Sequence, residues 1–160
     1  MKRLFCFALA LVGVLTGFSS CSKTDGPGSI SESSLVGDYV CQKIVLVADG
    51  TTTTYPGEDV GKGVLESLPF YYELDLKKGG KCSITEYKGS TPEPDTYVVK
   101  DNYFYLAYSG MDIPIFKIKS KSGKTLVVEP TEAWMDLIQL GFLLNYDSEL
   151  ESAVATYQKR

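Results

Sequence analysis

The sequence contains no histidine in its 160 residues and only one tryptophan. Without histidine the chain cannot build a Ser-His-Asp or Cys-His catalytic pair, and it lacks a frequent ligand of zinc and non-haem iron sites. No serine lies in a Gly-x-Ser-x-Gly turn, which would mark one common type of activated nucleophile. We therefore expect a protein that is not an enzyme, with no catalytic residue, no metal and no cofactor.

An excess of positive charge is also missing, because 16 Lys+Arg stand against 20 Asp+Glu and the net charge is -4. Proteins that bind nucleic acid without sequence preference need a basic face. We therefore expect no nucleic-acid partner. The mean hydropathy of -0.03 is that of an ordinary globular chain. The length predicts one domain.

The longest apolar run, Leu4–Phe18, follows Met1-Lys2-Arg3. It is shorter than the about 20 residues of a spanning helix, and with its basic start it predicts a signal peptide over residues 1–20. Phe18-Ser19-Ser20-Cys21 resembles the bacterial lipobox. That resemblance implies cleavage before Cys21 and lipidation of Cys21, which would make the membrane a partner. An ordinary secretory signal is the alternative.

Ser22 follows the predicted lipidation site. By the same resemblance, the absence of Asp at this position implies an outer-membrane lipoprotein of the bacterial cell envelope, on either the periplasmic or the surface face. Residues 21–34 are rich in Ser, Gly, Lys and Asp, so they predict a flexible tether ahead of a folded domain over 35–160.

Cys41 and Cys82 are the cysteines that remain after Cys6 leaves with the signal peptide and Cys21 takes the lipid. Two interpretations stay open. An oxidising envelope allows the pair to form a disulfide. Alternatively, both are small buried apolar side chains, as free cysteines often are.

Short runs rich in β-branched and aromatic residues recur between Gly, Asn, Asp and Pro turns, which is typical of strands. Seven strands are predicted, and Thr51–Tyr55 is a candidate eighth: Asp38–Val47, Phe70–Lys77, Lys81–Lys88, Thr96–Lys100, Tyr103–Tyr108, Ile113–Ser120 and Lys124–Glu129. Successive hairpins imply an antiparallel meander. Closure removes its two exposed edges. We therefore predict a mainly β fold, an up-and-down β-barrel of about eight strands.

The composition changes from about residue 131 onward. Trp134, Leu137, Ile138, Gly141 and Leu144 recur at helical spacing after Pro130. Ser148-Glu149-Leu150-Glu151 has the pattern of a capping box. We predict one or two C-terminal helices, the second beginning at Ser148.

The strand rhythm over residues 35–145 resembles the lipocalin-like, calycin-type lipoproteins of Gram-negative envelopes. Leu35-Val36-Gly37-Asp38-Tyr39 stands where lipocalins carry Gly-x-Trp, with Tyr39 in place of Trp. The resemblance implies a barrel whose apolar cavity binds a small hydrophobic ligand without catalysis. The residues expected to line that cavity are Tyr39, Phe70, Tyr72, Leu74, Tyr97 and Phe116.

A second hypothesis is a filled barrel that docks another envelope protein. Tyr97, Tyr103, Tyr105 and Tyr108 crowd one hairpin, so one face of it is unusually aromatic. Tyrosine combines a large apolar surface with a polar tip, which suits protein interfaces as well as cavity walls. The docking surface would be this aromatic face or the helix that carries Trp134.

Overall fold

The computed structural model describes residues 29–160. The predicted signal peptide, Cys21 and residues 22–28 of the predicted tether lie outside the described residues. The α-helices are α1 (Glu32–Leu35) and α2 (Glu132–Tyr146), and the 3-10 turns are Gly57–Asp59 and Gly63–Ser67. The strands are β1 (Gly37–Ala48), β2 (Thr51–Pro56), β3 (Glu73–Leu76), β4 (Lys81–Thr85), β5 (Glu93–Lys100), β6 (Tyr103–Tyr108), β7 (Met111–Ser122), β8 (Thr125–Pro130) and β9 (Leu150–Lys159).

Eight of the strands close a barrel. Each strand from β3 to β9 pairs antiparallel with the next one along the chain. β1 pairs with β3 over Gly37–Val40 and with β9 along its other edge, which joins the first barrel strand to the last. The predicted antiparallel up-and-down barrel with a C-terminal helix is confirmed. β2 is an additional strand on the Lys43–Ala48 part of β1.

Tight turns with left-handed residues join several of the hairpins. Asp101 and Asn102 both have positive φ, at 53° and 62°, between β5 and β6. Asp49-Gly50 and Ser109-Gly110 show the same pairing of positive φ values. Two successive left-handed residues match the twist of antiparallel strands, and Asp, Asn and Gly tolerate them best. The Asp101-Asn102 hairpin predicted from the sequence is thus present.

The predicted helix beginning at Ser148 is wrong, because Leu150–Lys159 forms β9. Leu150, Val154 and Tyr157 fit helical spacing, but Ala153, Ala155 and Tyr157 alternate inward with at most 1% exposure. Alanine carries little apolar signal, so the period of two is weak in the sequence. Pairing with both β8 and β1 closes the sheet, and that closure outweighs the local helical pattern.

The alternation predicted over Phe70–Lys77 holds only within β3, where Leu74 and Leu76 face inward. Ahead of β3, Tyr71 is buried and Tyr72 is partly exposed, the reverse of the prediction. The Tyr72 N–H points at two successive carbonyls, those of Thr85 at 2.9 Å and Glu86 at 3.3 Å. Phe70–Tyr72 precede the regular strand, so the alternation of β3 does not extend to them.

The barrel has two ends, which we call the entry end and the α2 end. The entry end carries α1 and the β3–β4, β5–β6 and β7–β8 turns. At this end Leu35 is fully buried, the Ile30 N–H donates to Asn102 Oδ1 at 2.8 Å, and the Gly80 N–H donates to Glu32 Oε1 at 2.9 Å. Residues 30–34, assigned to the tether from the sequence, are therefore attached to the barrel.

The α2 end carries α2 and the β1–β2 and β6–β7 turns. The Trp134 Nε1–H donates to the Pro114 carbonyl at 2.9 Å, and the Gln139 side-chain amide donates to the Leu150 carbonyl at 2.9 Å. Trp134, Ile138 and Phe142 form the buried stripe of the helix. These contacts fix α2 to β7 and β9.

Candidate functional site

The barrel interior is the first candidate site, since the sequence places the ligand-lining residues there. Tyr39, Leu74, Tyr97, Phe116 and Phe70 are all at most 4% exposed and belong to one hydrophobic core. Tyr72 is only partly buried and packs against the edge of that core. The structure thus brings five of the six predicted residues together.

These side chains pack on each other around Phe116. The ring centroid of Phe116 lies 6.1 Å from Phe70, 5.9 Å from Tyr71 and 5.6 Å from Phe104. Tyr97 stacks on Phe104 at 5.3 Å. Rings at these separations are in direct contact. The predicted lining residues therefore face one another, and the space around Phe116 is occupied by side chains.

Tyr71 and Phe104 belong to this interior but were not among the predicted lining residues. Phe104 could have been found, because it has the inward parity of Leu106 on the same strand. Tyr71 could not, because the irregular backbone before β3 reverses its orientation.

Tyrosine hydroxyls supply the polar groups inside the barrel. Tyr157 Oη donates to the Tyr71 carbonyl at 2.8 Å and accepts from the Tyr71 N–H at 3.2 Å. Tyr97 Oη donates to the Lys77 carbonyl at 3.1 Å. The Tyr39 hydroxyl is buried and has no hydrogen-bond partner among the described residues. Burial raises the pKa of Tyr97 to about 12 and also raises the pKa of Tyr39, so both phenols are neutral at physiological pH.

Cys41 and Cys82 are buried free thiols, so the disulfide interpretation is wrong in this structure. They lie on β1 and β4, which are separated by β3. Cys82 is opposite Leu76 and Leu76 is opposite Gly37, so Cys41 lies four residues further along β1. Two strand spacings alone separate the backbones by about 10 Å, and this offset adds to that distance, which exceeds the about 7 Å that a disulfide can bridge. Burial raises the pKa of each thiol to about 12, which suppresses the reactive thiolate.

A polar cleft of about 260 Å³ lies on the outer wall, lined by Asp38, Glu73, Asp75, Ser83, Thr85 and Pro92. Arg160 contacts Glu73 at 2.6 Å and Asp38 at 3.2 Å, and Lys77 contacts Asp75 at 3.2 Å. The carboxylates are therefore engaged with cations. Within residues 29–160, no cluster of His, Cys, Asp or Glu has the arrangement of a metal site.

The second candidate site is the outward face of α2. Leu140, Leu143 and Leu144 are 56%, 56% and 75% exposed, and Tyr146 is 51% exposed. The three leucines share one side of the helix by their spacing of three and four residues. Trp134, Ile138 and Phe142 occupy the opposite, buried side. The C-terminal half of α2 is thus apolar on both sides, although only one side is covered.

The aromatic hairpin predicted from the sequence divides by parity except at Tyr108, which ends β6 and is 40% exposed. Phe104 and Leu106 are buried, whereas Tyr103 and Tyr105 lie on the outer wall with ring centroids 6.5 Å apart. Both tyrosines are only partly exposed.

Over residues 29–160, the helices are too short or too polar to cross a bilayer.

Comparisons of the chain with protein-family models, with curated proteins and with solved structures find no match.

Proposed function

We propose that the protein is a lipid-anchored, non-catalytic component of the bacterial outer membrane, in which a filled barrel serves as the scaffold for docking another envelope protein. The observation that carries the proposal is the exposed leucine face of α2. A helix that is apolar on both sides is typical of a buried helix. Covering Leu140, Leu143 and Leu144 with a partner would remove that apolar surface from water.

The packed interior favours docking over capture of a small hydrophobic ligand. A ligand cavity needs free volume bordered by apolar side chains. At the positions predicted for that role, Phe116 instead contacts Phe70 directly, and Leu74 is 1% exposed within the same core. The barrel is therefore better suited to hold α2 in place than to enclose a ligand.

The charge around α2 indicates the kind of partner. The helix, the connection to β9, the first two residues of β9 and the β1–β2 turn contain no Lys or Arg, but they carry Asp49, Glu132, Asp136, Asp147, Glu149 and Glu151. Such an acidic rim repels an anionic lipid surface. It complements an apolar protein surface flanked by Lys or Arg. The proposed occupant is therefore an envelope protein whose apolar surface is flanked by Lys or Arg.

Site-specific photo-crosslinking in cells that produce the full chain tests the proposal. A photoreactive residue replaces Leu144, and the matched control replaces Val98, which is 39% exposed on the outer wall. We expect one discrete protein adduct from position 144 and none from position 98. The cross-linked peptide of the partner should be apolar with adjacent Lys or Arg, and Leu140→Ser with Leu143→Ser should abolish the adduct.

Three results would contradict docking of a partner protein. They are an adduct of this chain with itself, adducts with lipid alone, and the same adducts from both positions. The anchor is tested separately with a globomycin-type inhibitor of lipoprotein signal cleavage. Such an inhibitor blocks cleavage before Cys21 and does not act on α2.

A further inference from the structure

The entry end differs from the α2 end in its charge. Its three turns, the strand residues next to them and the C-terminus carry eight basic residues, namely Lys77, Lys78, Lys81, Lys100, Lys121, Lys124, Lys159 and Arg160. Counted over α1, the same turns and the same strand ends, the acidic residues are Glu32, Asp38, Asp75 and Asp101. Basic side chains therefore surround the end of the barrel at which the described chain begins.

Some of these cations are already paired. Lys77 contacts Asp75, Arg160 contacts Asp38 and Glu73, and the Lys159 ammonium donates to the Val36 carbonyl at 2.7 Å. Lys121 donates to the carbonyl of Gly123. These contacts lie within the protein and leave little of the charge for an external ligand.

Four exposed lysines have no carboxylate partner among residues 29–160: Lys78, Lys81, Lys100 and Lys124. They come from three different hairpins, so they are distributed around the end of the barrel. Lysine is a hydrated point charge that binds phosphate groups without demanding a fixed geometry. A ring of unpaired lysines is thus suited to a surface of many phosphates.

We infer that these four lysines hold the entry end against the anionic lipid headgroups of the membrane. The inference rests on the proposed lipid anchor for its placement. Cys21 precedes the first described residue by eight positions, and eight extended residues span at most about 29 Å. An anchor at Cys21 therefore keeps the entry end within reach of the headgroups, and the lysines turn that end toward them.

In this orientation the entry end faces the membrane and the α2 end faces away from it. With the lysines at the headgroups, the acidic rim and the exposed leucines of α2 point away from the same membrane. Attraction at one end and repulsion at the other both favour this orientation. The α2 face would then be presented to proteins of the envelope.

Lysine acylation read by mass spectrometry tests the inference on the full chain in vesicles. One set of vesicles contains phosphatidylcholine, and the other contains phosphatidylcholine with phosphatidylglycerol. We expect Lys78, Lys81, Lys100 and Lys124 to react more slowly on the phosphatidylglycerol vesicles, by up to about fivefold if each contributes as a typical surface lysine. Lys43 and Lys62, which are exposed elsewhere, should react equally on both. High salt should remove the difference.

A pair of charge-matched variants completes the test. The first replaces Lys78, Lys81, Lys100 and Lys124 with Gln, and the control replaces Lys43, Lys62, Lys88 and Lys119 with Gln. Only the first should lose the preference for phosphatidylglycerol vesicles in flotation. Equal labelling of all lysines, or equal loss in both variants, would overturn the inference.

Failure of the anchor is distinguishable from failure of the lysine contact. Flotation with phosphatidylcholine alone reports the uncharged attachment, while the phosphatidylglycerol-dependent protection reports the lysines. A chain that floats with phosphatidylcholine but shows no added protection retains the anchor and refutes the contact. A chain that binds only phosphatidylglycerol supports the contact and argues against the anchor.

Discussion

The two ends of the barrel are closed in different ways. At the entry end, α1 buries Leu35 and is tied to two turns by the Ile30 and Glu32 hydrogen bonds. At the α2 end, a helix of 15 residues buries one stripe and leaves Leu140, Leu143 and Leu144 in water. A single helical turn is enough to cover one end, so coverage alone does not explain the second leucine face of α2.

Charge follows the same division. Basic turns surround the entry end, while α2, the β1–β2 turn and the connection to β9 are acidic and lack Lys and Arg. Lys88, in the β4–β5 connection at the α2 end, is paired with Glu58. A chain that needed only a stable barrel has no reason to separate its charges in this way, since net charge affects association more than fold. The proposed membrane contact at one end and the proposed protein contact at the other would account for this asymmetry.

The largest expected effect comes from truncating a leucine at each end. Leu35→Ala should lower the free energy of unfolding by about 2–5 kcal/mol, because it leaves a cavity under α1. Leu144→Ala should change it by less than about 0.5 kcal/mol, because Leu144 is 75% exposed. Denaturant unfolding measures both. An equally large loss for Leu144→Ala would mean that the leucine face stabilises the fold, and docking would lose its basis.

A glycine comparison separates the barrel wall from α2. A Cβ on Gly57 would lie 2.0 Å from the Cys41 carbonyl oxygen, so Gly57→Ala must push the β2–β3 connection away from β1. We expect a loss of about 3 kcal/mol in unfolding free energy, at the upper end of overpacking effects. A Cβ on Gly141 in α2 meets no atom within 4 Å. Gly141→Ala should therefore stabilise the protein by about 0.5–1 kcal/mol. Equal destabilisation by both would contradict the described packing.

Two buried tyrosines offer a smaller contrast. Tyr157→Phe removes the hydroxyl that satisfies both backbone groups of Tyr71, so unfolding free energy should fall by about 1–2 kcal/mol. Tyr39→Phe removes a buried hydroxyl without a partner among the described residues and should be neutral or stabilising. Thermal unfolding of the two variants provides the comparison. A loss for Tyr39→Phe equal to that for Tyr157→Phe would show that the Tyr39 hydroxyl is satisfied in solution.

The barrel could be predicted from sequence because its hairpins are local. Tyr103–Tyr108 and its Asp101-Asn102 turn are specified by neighbouring residues, and the strand bounds agree with the prediction. β9 could not be predicted in the same way, because its strand conformation depends on the edges of β1 and β8. Its inward Ala153 and Ala155 give almost no apolar contrast. The eighth strand of the barrel is therefore β9, whose sequence has a helical pattern. Thr51–Tyr55, the predicted candidate for an eighth strand, lies in β2 outside the barrel.

The residues that face the barrel interior could be predicted from the sequence, but whether they enclose a ligand cavity could not. Tyr39, Phe70, Leu74, Tyr97 and Phe116 do face inward, as strand alternation indicates. Whether inward side chains leave a cavity depends on how rings from distant strands fit together, and one-dimensional spacing carries no such information. The exposure of Leu144 could not be predicted for a similar reason. Helical periodicity shows that α2 has two apolar sides, but it does not show which side packs against the barrel.

The smallest expected effect concerns the α2 end in acid. Asp49 accepts a hydrogen bond from the Ser148 hydroxyl at 2.6 Å and one from the Glu149 N–H at 2.9 Å, which tie the β1–β2 turn to the connection between α2 and β9. These bonds, the Ser148 bond first, lower the pKa of Asp49 below its usual 3.8. A lowered folded-state pKa means that the stabilisation is complete above the unfolded-state pKa and is lost as the pH falls through the folded-state value.

Asp49→Asn tests this junction, because Asn tolerates the left-handed backbone of Asp49, whose φ is 47°. The variant should be less stable than the wild type by a constant amount from neutral pH down to about pH 4, near the reference pKa of aspartate. Below that pH the difference should shrink, because the wild-type carboxylate becomes protonated and the Asn side chain does not titrate. Parallel curves for Asp49→Asn and the wild type down to pH 2 would mean that the Asp49 carboxylate does not stabilise the junction between the β1–β2 turn and the connection to β9.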